Sequence, residues 1–152
     1  QVVAVRSDSD IRTLQNLADK VVAVQSTTKP EELFLNAEQN GLPRLRRLYS
    51  LQNRDLLYTT LLKGYADALA AHESAIRQFM KDYSVEYRIL DEPLMTARLG
   101  VAFAKDRSDD LPQQLTEVFQ EMLADGTVRQ IVSRYLDDPE HYLDGLEDST
   151  HA

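Results

Sequence analysis

The chain has 152 residues, 43% of them hydrophobic and 28% charged, and its 17 basic and 25 acidic side chains give a net charge of −8. This is the composition of a globular domain, and no apolar run approaches the roughly 20 residues that cross a bilayer. The negative charge argues against a nucleic-acid partner, and the absence of cysteine excludes disulfides, thiolate metal sites and cysteine nucleophiles.

The first third of the chain predicts a strand, a short helical turn, a second strand and a helix. Valine-rich segments at 2–6 and 21–24 are typical of strands buried in a parallel sheet. Asp10 is the predicted N-cap of the turn between them. Pro30 marks the start of the helix, and Gly41 is predicted to end it.

The middle of the chain continues this alternation. Residues 45–49 predict a strand, Asn53 is the predicted N-cap of the next helix, and Gly64 is predicted to end that helix. The arginines at 44–47 are interpreted as charge that keeps an exposed strand edge soluble. The remaining predictions here are a helix at 73–82 and strands at 66–71, 87–90 and 97–104.

The last third of the chain predicts helices. An apolar stripe begins at Leu111, and Gly126 is predicted to end that helix. Thr127 is the predicted cap of a second helix. The acidic tail at 137–152 predicts one loose helix around Tyr142.

These elements predict an α/β fold with a Rossmann-like, mainly parallel sheet that is flanked by helices and followed by C-terminal helices. Strands that alternate with helices imply right-handed crossovers, and ligands of such sheets bind at the carboxyl ends of the strands. We therefore expect a ligand near the loop at 25–28 and near His72.

Four phrases of the chain, taken in order, resemble the family 3, type II periplasmic solute-binding proteins. Residues 11–26 resemble the family's entry into its second lobe, and 61–68 resemble its helix-to-strand turn with the pattern Gly-x-Ala-Asp-Ala. Residues 99–106 resemble the strand that returns to the first lobe, and 122–131 resemble the final helix pair. Their order and spacing make the resemblance fairly specific.

The resemblance implies a division of the chain into parts of a bilobal module. Residues 1–104 correspond to the second, ligand-binding lobe, 105–136 to the terminal helices of the first lobe, and 137–152 to an acidic tail. About the first hundred residues of a whole module are then expected to lie outside this sequence.

The resemblance also implies ligand-binding residues. Ser26, Thr27 and Thr28 form the loop that holds a ligand carboxylate through backbone N–H groups, although the family usually has glycine at the position of Thr27. Their alternative role is that of ordinary helix N-caps. His72 stands where many amino-acid binders have an acid that pairs with the ligand's ammonium group, and Asp67 is expected to brace a turn.

His72 bears on the kind of ligand. A neutral imidazole does not supply the missing negative charge, so the substitution argues against a standard α-amino acid and favours another carboxylate, a different small solute or a site that has lost its ligand. The alternative is a plain surface or helix-capping histidine.

The function implied by the resemblance is that of an extracytoplasmic, periplasmic module that binds a small, amino-acid-like or other carboxylate ligand and serves transport or signal sensing by lobe closure. Its implied partners are this ligand, the first lobe, and a membrane transporter or a signalling kinase or cyclase. We expect no cofactor, no metal ligand and no catalytic residue. Self-association through exposed helix faces, including Val118 and Ile131, is a further prediction.

Two other functions remain open. One is a ligand-free sensor or interaction domain with a vestigial cleft. The other is a dehydratase-like enzyme on the same scaffold, since fold alone does not fix function. The candidate acids and bases for such an enzyme are His72, Glu73, Asp91 and Glu92.

Overall fold

The computed structural model describes residues 1–97, 100–106 and 109–143, and the chain forms two compact units, residues 1–98 and 99–152. The strands of the first unit are β1 (Val2–Arg6), β2 (Val21–Gln25), β3 (Arg47–Leu51), β4 (Ala68–Ala71) and β5 (Tyr87–Ile89). Its helices are α1 (Lys29–Leu35), α2 (Arg54–Leu62) and α3 (Glu73–Tyr83). The second unit contains helices α4 (Leu111–Ala124), α5 (Thr127–Val132) and α6 (Pro139–Leu143).

The five strands form one sheet in the order β3-β2-β4-β1-β5. β2 pairs in parallel with both β3 and β4, whereas β1 is antiparallel to both β4 and β5. Four strands therefore share one direction and β1 alone runs against them. This arrangement confirms the predicted α/β fold with a mainly parallel sheet flanked by helices.

Both faces of the sheet are covered by apolar side chains, which explains the uninterrupted valine runs of β1 and β2. Successive residues of a strand point to opposite faces, so Val2 and Ala4 pack on one face and Val3 and Val5 on the other. The first face also buries side chains from the helices α2 and α3, namely Leu57, Tyr58, Leu61, Ile76 and Phe79. The second face includes Ile11, Leu14, Leu17 and Phe34.

Several local signals work as the sequence predicts. The Asn53 side chain caps α2, because its Oδ1 accepts a hydrogen bond from the backbone N–H of Asp55 at 2.7 Å. Gly64 follows that helix with a left-handed φ of 73°, as expected for a residue just past a helix end. Asp67 braces its turn, since its Oδ2 accepts from the backbone N–H of Val21 at 2.7 Å.

Two predicted helix boundaries are wrong. The turn after β1 is a 3-10 helix at Leu14–Leu17 whose N-cap is Thr13, not Asp10, because the Asn16 side chain accepts the Thr13 backbone N–H there. α1 stops at Leu35, well before Gly41, because Asn36 leaves helical geometry with a φ of −111°. Gly41 instead ends a short 3-10 turn, with a φ of 66°.

Two strand predictions also need correction. β3 spans Arg47–Leu51, two residues later than predicted, and its first residue lies at an exposed edge of the sheet, as the arginine cluster suggested. The predicted strand at 97–104 is absent from residues 97 and 100–104, while residues 98–99 lie outside the described residues. A strand needs a hydrogen-bonded neighbour, and no ladder of the described sheet reaches this segment.

The helices of the second unit follow the predicted order. Gly126, with a left-handed φ of 82°, is the N-cap of α5, so Thr127 begins that helix instead of capping it. α6 confirms the predicted helix around Tyr142, and residues 144–152 of the tail lie outside the described residues. Val118 and Ile131 are exposed, and self-association through them stays a prediction. The assignment of these helices to a first lobe likewise stays a prediction.

Candidate functional site

A cleft of about 520 Å³ lies at the edge of the sheet where the parallel strands end. β2 and β4 finish side by side there, with Val24 opposite Ala70. Because β1 runs the other way, its beginning reaches the same edge, where Val2 pairs with Ala71. The cleft is lined by Gln1, Gln25, Thr28, Lys29, Pro30, Arg54, Leu57, Tyr58, Ala70, Ala71, His72, Ser74 and Ala75. The sequence predicted a ligand at this edge.

The loop at Ser26–Thr28 leads from β2 into α1. Thr27 adopts a left-handed φ of 60°, the region that glycine favours. Thr28 lines the cleft, whereas Ser26 and Thr27 are not among its lining residues. The Thr28 hydroxyl donates to the Gln25 carbonyl at 2.6 Å and accepts no helix N–H, so it is not an ordinary side-chain N-cap.

A carboxylate of the chain itself occupies the predicted anion-binding loop. The backbone N–H of Thr27 donates to Oε2 of Glu31 at 2.7 Å. Hydrogen bonds from the Ser50 side chain and from this N–H hold the pKa of Glu31 below its ordinary value of 4.5. An incoming carboxylate that used the Thr27 N–H would have to displace Glu31.

The Thr27–Glu31 contact is expected to titrate below the ordinary glutamate range. A group whose pKa is depressed in the folded state keeps its contact at neutral pH and loses it as the pH falls through that lowered pKa. The Thr27 amide proton shift, followed by NMR, should therefore show a transition with a midpoint below 4.5. Glu31→Gln should abolish the transition and Glu32→Gln should leave it unchanged. A midpoint at or above the ordinary value would contradict the prediction.

His72 lies at the exposed N-cap position of α3 and lines the cleft. The side-chain amide nitrogen of Gln1 is 2.9 Å from its Nε2. The same amide nitrogen is 3.3 Å from Nδ1, and which ring nitrogen accepts depends on the tautomer of the imidazole. The structure thus brings His72 and Thr28 to one cleft, while Ser26 and Thr27 lie beside it in the loop.

The sequence analysis does not name two residues that line the cleft, Arg54 and Tyr58. Arg54 is the first residue of α2 and is exposed, and its guanidinium has no hydrogen bond or ion pair within the described part of the chain. Tyr58 follows one helical turn later and is 2% exposed. Its hydroxyl is buried and finds no hydrogen-bond partner among residues 1–97, 100–106 and 109–143. The predicted N-cap at Asn53 was the signal that places both residues near the ligand edge.

Aromatic packing fixes Tyr58 in place. Its ring stacks on that of Phe79, with a centroid separation of 4.3 Å. The Tyr87 hydroxyl donates to the Tyr58 carbonyl at 2.9 Å. Burial, reinforced by the nearby Tyr58, raises the pKa of Tyr87 to about 12, so this hydroxyl remains a neutral donor.

The lining of the cleft differs in charge from the chain as a whole. The chain carries a net charge of −8, yet no lining residue is an aspartate or a glutamate. Of the two lining cations, Lys29 is engaged by Glu32 at 2.6 Å, which leaves Arg54 as the cation without such a partner in the described structure. The cleft therefore suits an anionic group.

The described residues contain neither a metal-binding cluster nor a membrane-spanning helix. Within residues 1–97, 100–106 and 109–143, no group of three or more histidine, aspartate or glutamate side chains is arranged to hold a metal ion. Across the same residues, no helix combines the length and apolar character needed to span a membrane.

Comparison with known proteins gives consistent relatives, although no family model matches the chain. The chain is 33% identical over 144 residues to the histidine-binding periplasmic protein of Escherichia coli strain K12, covering 89% of this chain and 54% of that protein. The same identity and coverage relate it to the histidine-binding periplasmic protein of Salmonella typhimurium strain LT2. The chain thus spans about half the length of these relatives.

Solved structures agree with these relatives. The substrate-binding protein of an amino acid ABC transporter is 26% identical, with a TM-score of 0.65 over 90% of this chain and 59% of that one. The probable amino-acid ABC transporter extracellular-binding protein ytmK from Bacillus subtilis is 24% identical, with a TM-score of 0.76 over the same shares. The chain is therefore homologous to the histidine-binding periplasmic protein and to the substrate-binding proteins of amino acid ABC transporters, whose fold it shares over 90% of its length.

Proposed function

We propose that this chain supplies one wall of a ligand-binding cleft in a periplasmic solute-binding protein, and that it binds a small amino-acid-like or other carboxylate ligand without transforming it. The observation that carries the proposal is the cleft at the carboxyl ends of the strands, in a chain homologous to amino-acid-binding proteins. Thr28 and His72 line it, and both are residues that the family resemblance selects. The homologues are binding proteins and not enzymes.

The relatives suggest the chemical class of the ligand. One is named for histidine, and a structural neighbour with 22% identity was crystallised with L-arginine. A cleft of about 520 Å³ is large enough for a single amino acid such as histidine or arginine. Thr28 and His72 in the cleft, together with Ser26 and Thr27 in the loop beside it, are the proposed contacts on this side of the ligand.

The proposed mechanism is closure of two lobes around the ligand. A ligand that contacts both walls binds the closed state more tightly than the open one, and this difference in affinity shifts the population toward closure. A transporter or a signalling protein then recognises the closed form. For this chain the second wall and that membrane partner are part of the proposal, because the chain covers 54% of its curated relative.

A thermal-shift screen of the full-length protein against amino acids and organic acids tests the proposal. A ligand at a hundred times its dissociation constant should add about 2.7 kcal/mol of stability, which appears as a rise of several degrees in Tm. Thr28→Ala and His72→Ala should reduce the shift, and Thr116→Ala, on the exposed surface of α4, should not. No shift with any compound would favour the ligand-free sensor or interaction domain. Turnover of a bound compound, followed by NMR, would favour the enzyme.

A further inference from the structure

We propose that Arg54 and Tyr58 together form the subsite that holds a carboxylate of the ligand, and that the ligand carries net negative charge. This inference rests on the proposed binding function and specifies which chemistry the cleft selects. It assigns the anion to side chains of α2 and not to the loop before α1.

The geometry of α2 brings the two groups together. Residues four apart on a helix lie on the same face, and both Arg54 and Tyr58 line the cleft. Burial raises the pKa of the Tyr58 hydroxyl, the charge of Arg54 works against that rise, and Asp55 adds to it. Arg54 is therefore close enough to the phenol for its charge to act on it.

Tyr58 provides the observation that points to a ligand. Its side chain is 2% exposed, and its hydroxyl lacks a hydrogen-bond partner in the described residues. Leaving a buried hydroxyl unpaired is unfavourable, and such groups are rare in folded proteins. A ligand oxygen that accepts a hydrogen bond from Tyr58 would satisfy it.

The position of Arg54 at the start of α2 is electrostatically unfavourable for the helix. A cation at the first position of a helix is opposed by the helix dipole, and no ion pair within the described residues offsets this. Arginine presents a planar fork of donors that matches a carboxylate. An anion bound beside it would compensate both the unpaired charge and the dipole.

The anion-binding loop is less available for this role. The Thr27 N–H already donates to Glu31, and Ser26 and Thr27 do not line the cleft. No lining residue is a carboxylate that could pair with a cationic ligand group. These contacts favour a small organic acid over a basic amino acid.

Isothermal titration of the full-length protein with L-glutamate, succinate and L-arginine tests the subsite. We expect an acid to bind more tightly than L-arginine, and Arg54→Gln to weaken binding of that acid roughly ten- to a hundredfold, the usual effect of losing a hydrogen bond to a charged group. Lys63→Gln is the matched control, because it removes one exposed positive charge from the opposite end of α2. It should change the Kd by less than about threefold.

Thermal stability separates a binding role from a structural one. The Tm of the ligand-free Arg54→Gln protein should not fall, because the helix dipole opposes a cation at that position. Tyr58→Phe should raise the Tm of the ligand-free protein while weakening binding of the acid.

Three results would overturn the subsite. They are tightest binding of L-arginine, equal Kd values for Arg54→Gln and Lys63→Gln, or an unchanged Kd for Tyr58→Phe. If none of the three compounds binds the unaltered protein, and the broader screen also finds no ligand, the proposed function itself fails and the subsite fails with it.

Discussion

Phe79→Ala is expected to lower the free energy of unfolding by about 3–5 kcal/mol, the usual cost of deleting a buried aromatic ring. Phe79 is the centre of an aromatic cluster on the first face of the sheet. Its ring lies 4.3 Å from that of Tyr58 on α2 and 6.2 Å from that of Tyr87 on β5. Removing it leaves a cavity between two helices and the sheet. Urea denaturation of the full-length protein, followed by circular dichroism, measures the loss.

The same substitution should also weaken ligand binding, because Tyr58 loses the ring on which it stacks. The matched control is Tyr83→Ala: Tyr83 contacts Phe79 at 4.5 Å but is 64% exposed. We expect that change to cost less than about 1 kcal/mol, since little cavity forms at an exposed site. Equal losses for the two variants would mean that the cluster does not support this face of the core.

The sequence predicts the buried strands of this fold well and the strand at the edge of the sheet poorly. The valine runs of β1 and β2 are buried on both faces, so a continuous apolar pattern was enough to predict them. β3 lies at an edge and carries exposed arginine, so its pattern is weak and its predicted position was two residues early. The apolar run after Ala97 resembled a strand, but apolar residues alone do not supply a neighbouring strand.

The sequence pattern also did not predict that β1 runs antiparallel to its neighbours. Strands that alternate with helices predict a parallel sheet, and four of the five strands do run together. β1 and β2 follow each other in the chain, yet β4 lies between them in the sheet. Alternation in burial along a strand shows which face of the sheet each residue occupies. It carries no information about whether the neighbouring strand runs parallel or antiparallel. This reversal brings Gln1 to the cleft beside His72.

The position of the cleft follows from the family pattern, whereas part of its lining depends on tertiary contacts. His72 and Thr28 were selected from the resemblance and both line the cleft, and their role in ligand binding stays a prediction. The sequence analysis does not single out Tyr58, because its unpaired, buried hydroxyl is evident only in the folded structure, where its ring stacks on Phe79. Arg54 was not selected either, although the predicted N-cap at Asn53 places it at the start of the helix next to the ligand edge.

Leu17→Ala tests the second face of the sheet and should cost about 2–5 kcal/mol of unfolding free energy. Leu17 is fully buried at the end of the 3-10 turn between β1 and β2, in the cluster that contains Val22 and Phe34. Leu35→Ala is the matched control, because Leu35 on α1 is 68% exposed and should cost less than about 1 kcal/mol. Urea denaturation of both variants gives the comparison, and a similar cost for each would contradict the assignment of Leu17 to the core.

The two faces should respond differently in ligand binding. Leu57 and Tyr58, which line the cleft, pack on the first face, and Leu17 is not a lining residue. Leu17→Ala should therefore leave the Kd of the folded protein within about threefold of its original value, because distant, independent sites act additively. Phe79→Ala should weaken binding beyond that range at a comparable loss of stability. If Leu17→Ala weakened binding as much as Phe79→Ala, the cleft would depend on the stability of the whole sheet and not on the aromatic support beneath Tyr58.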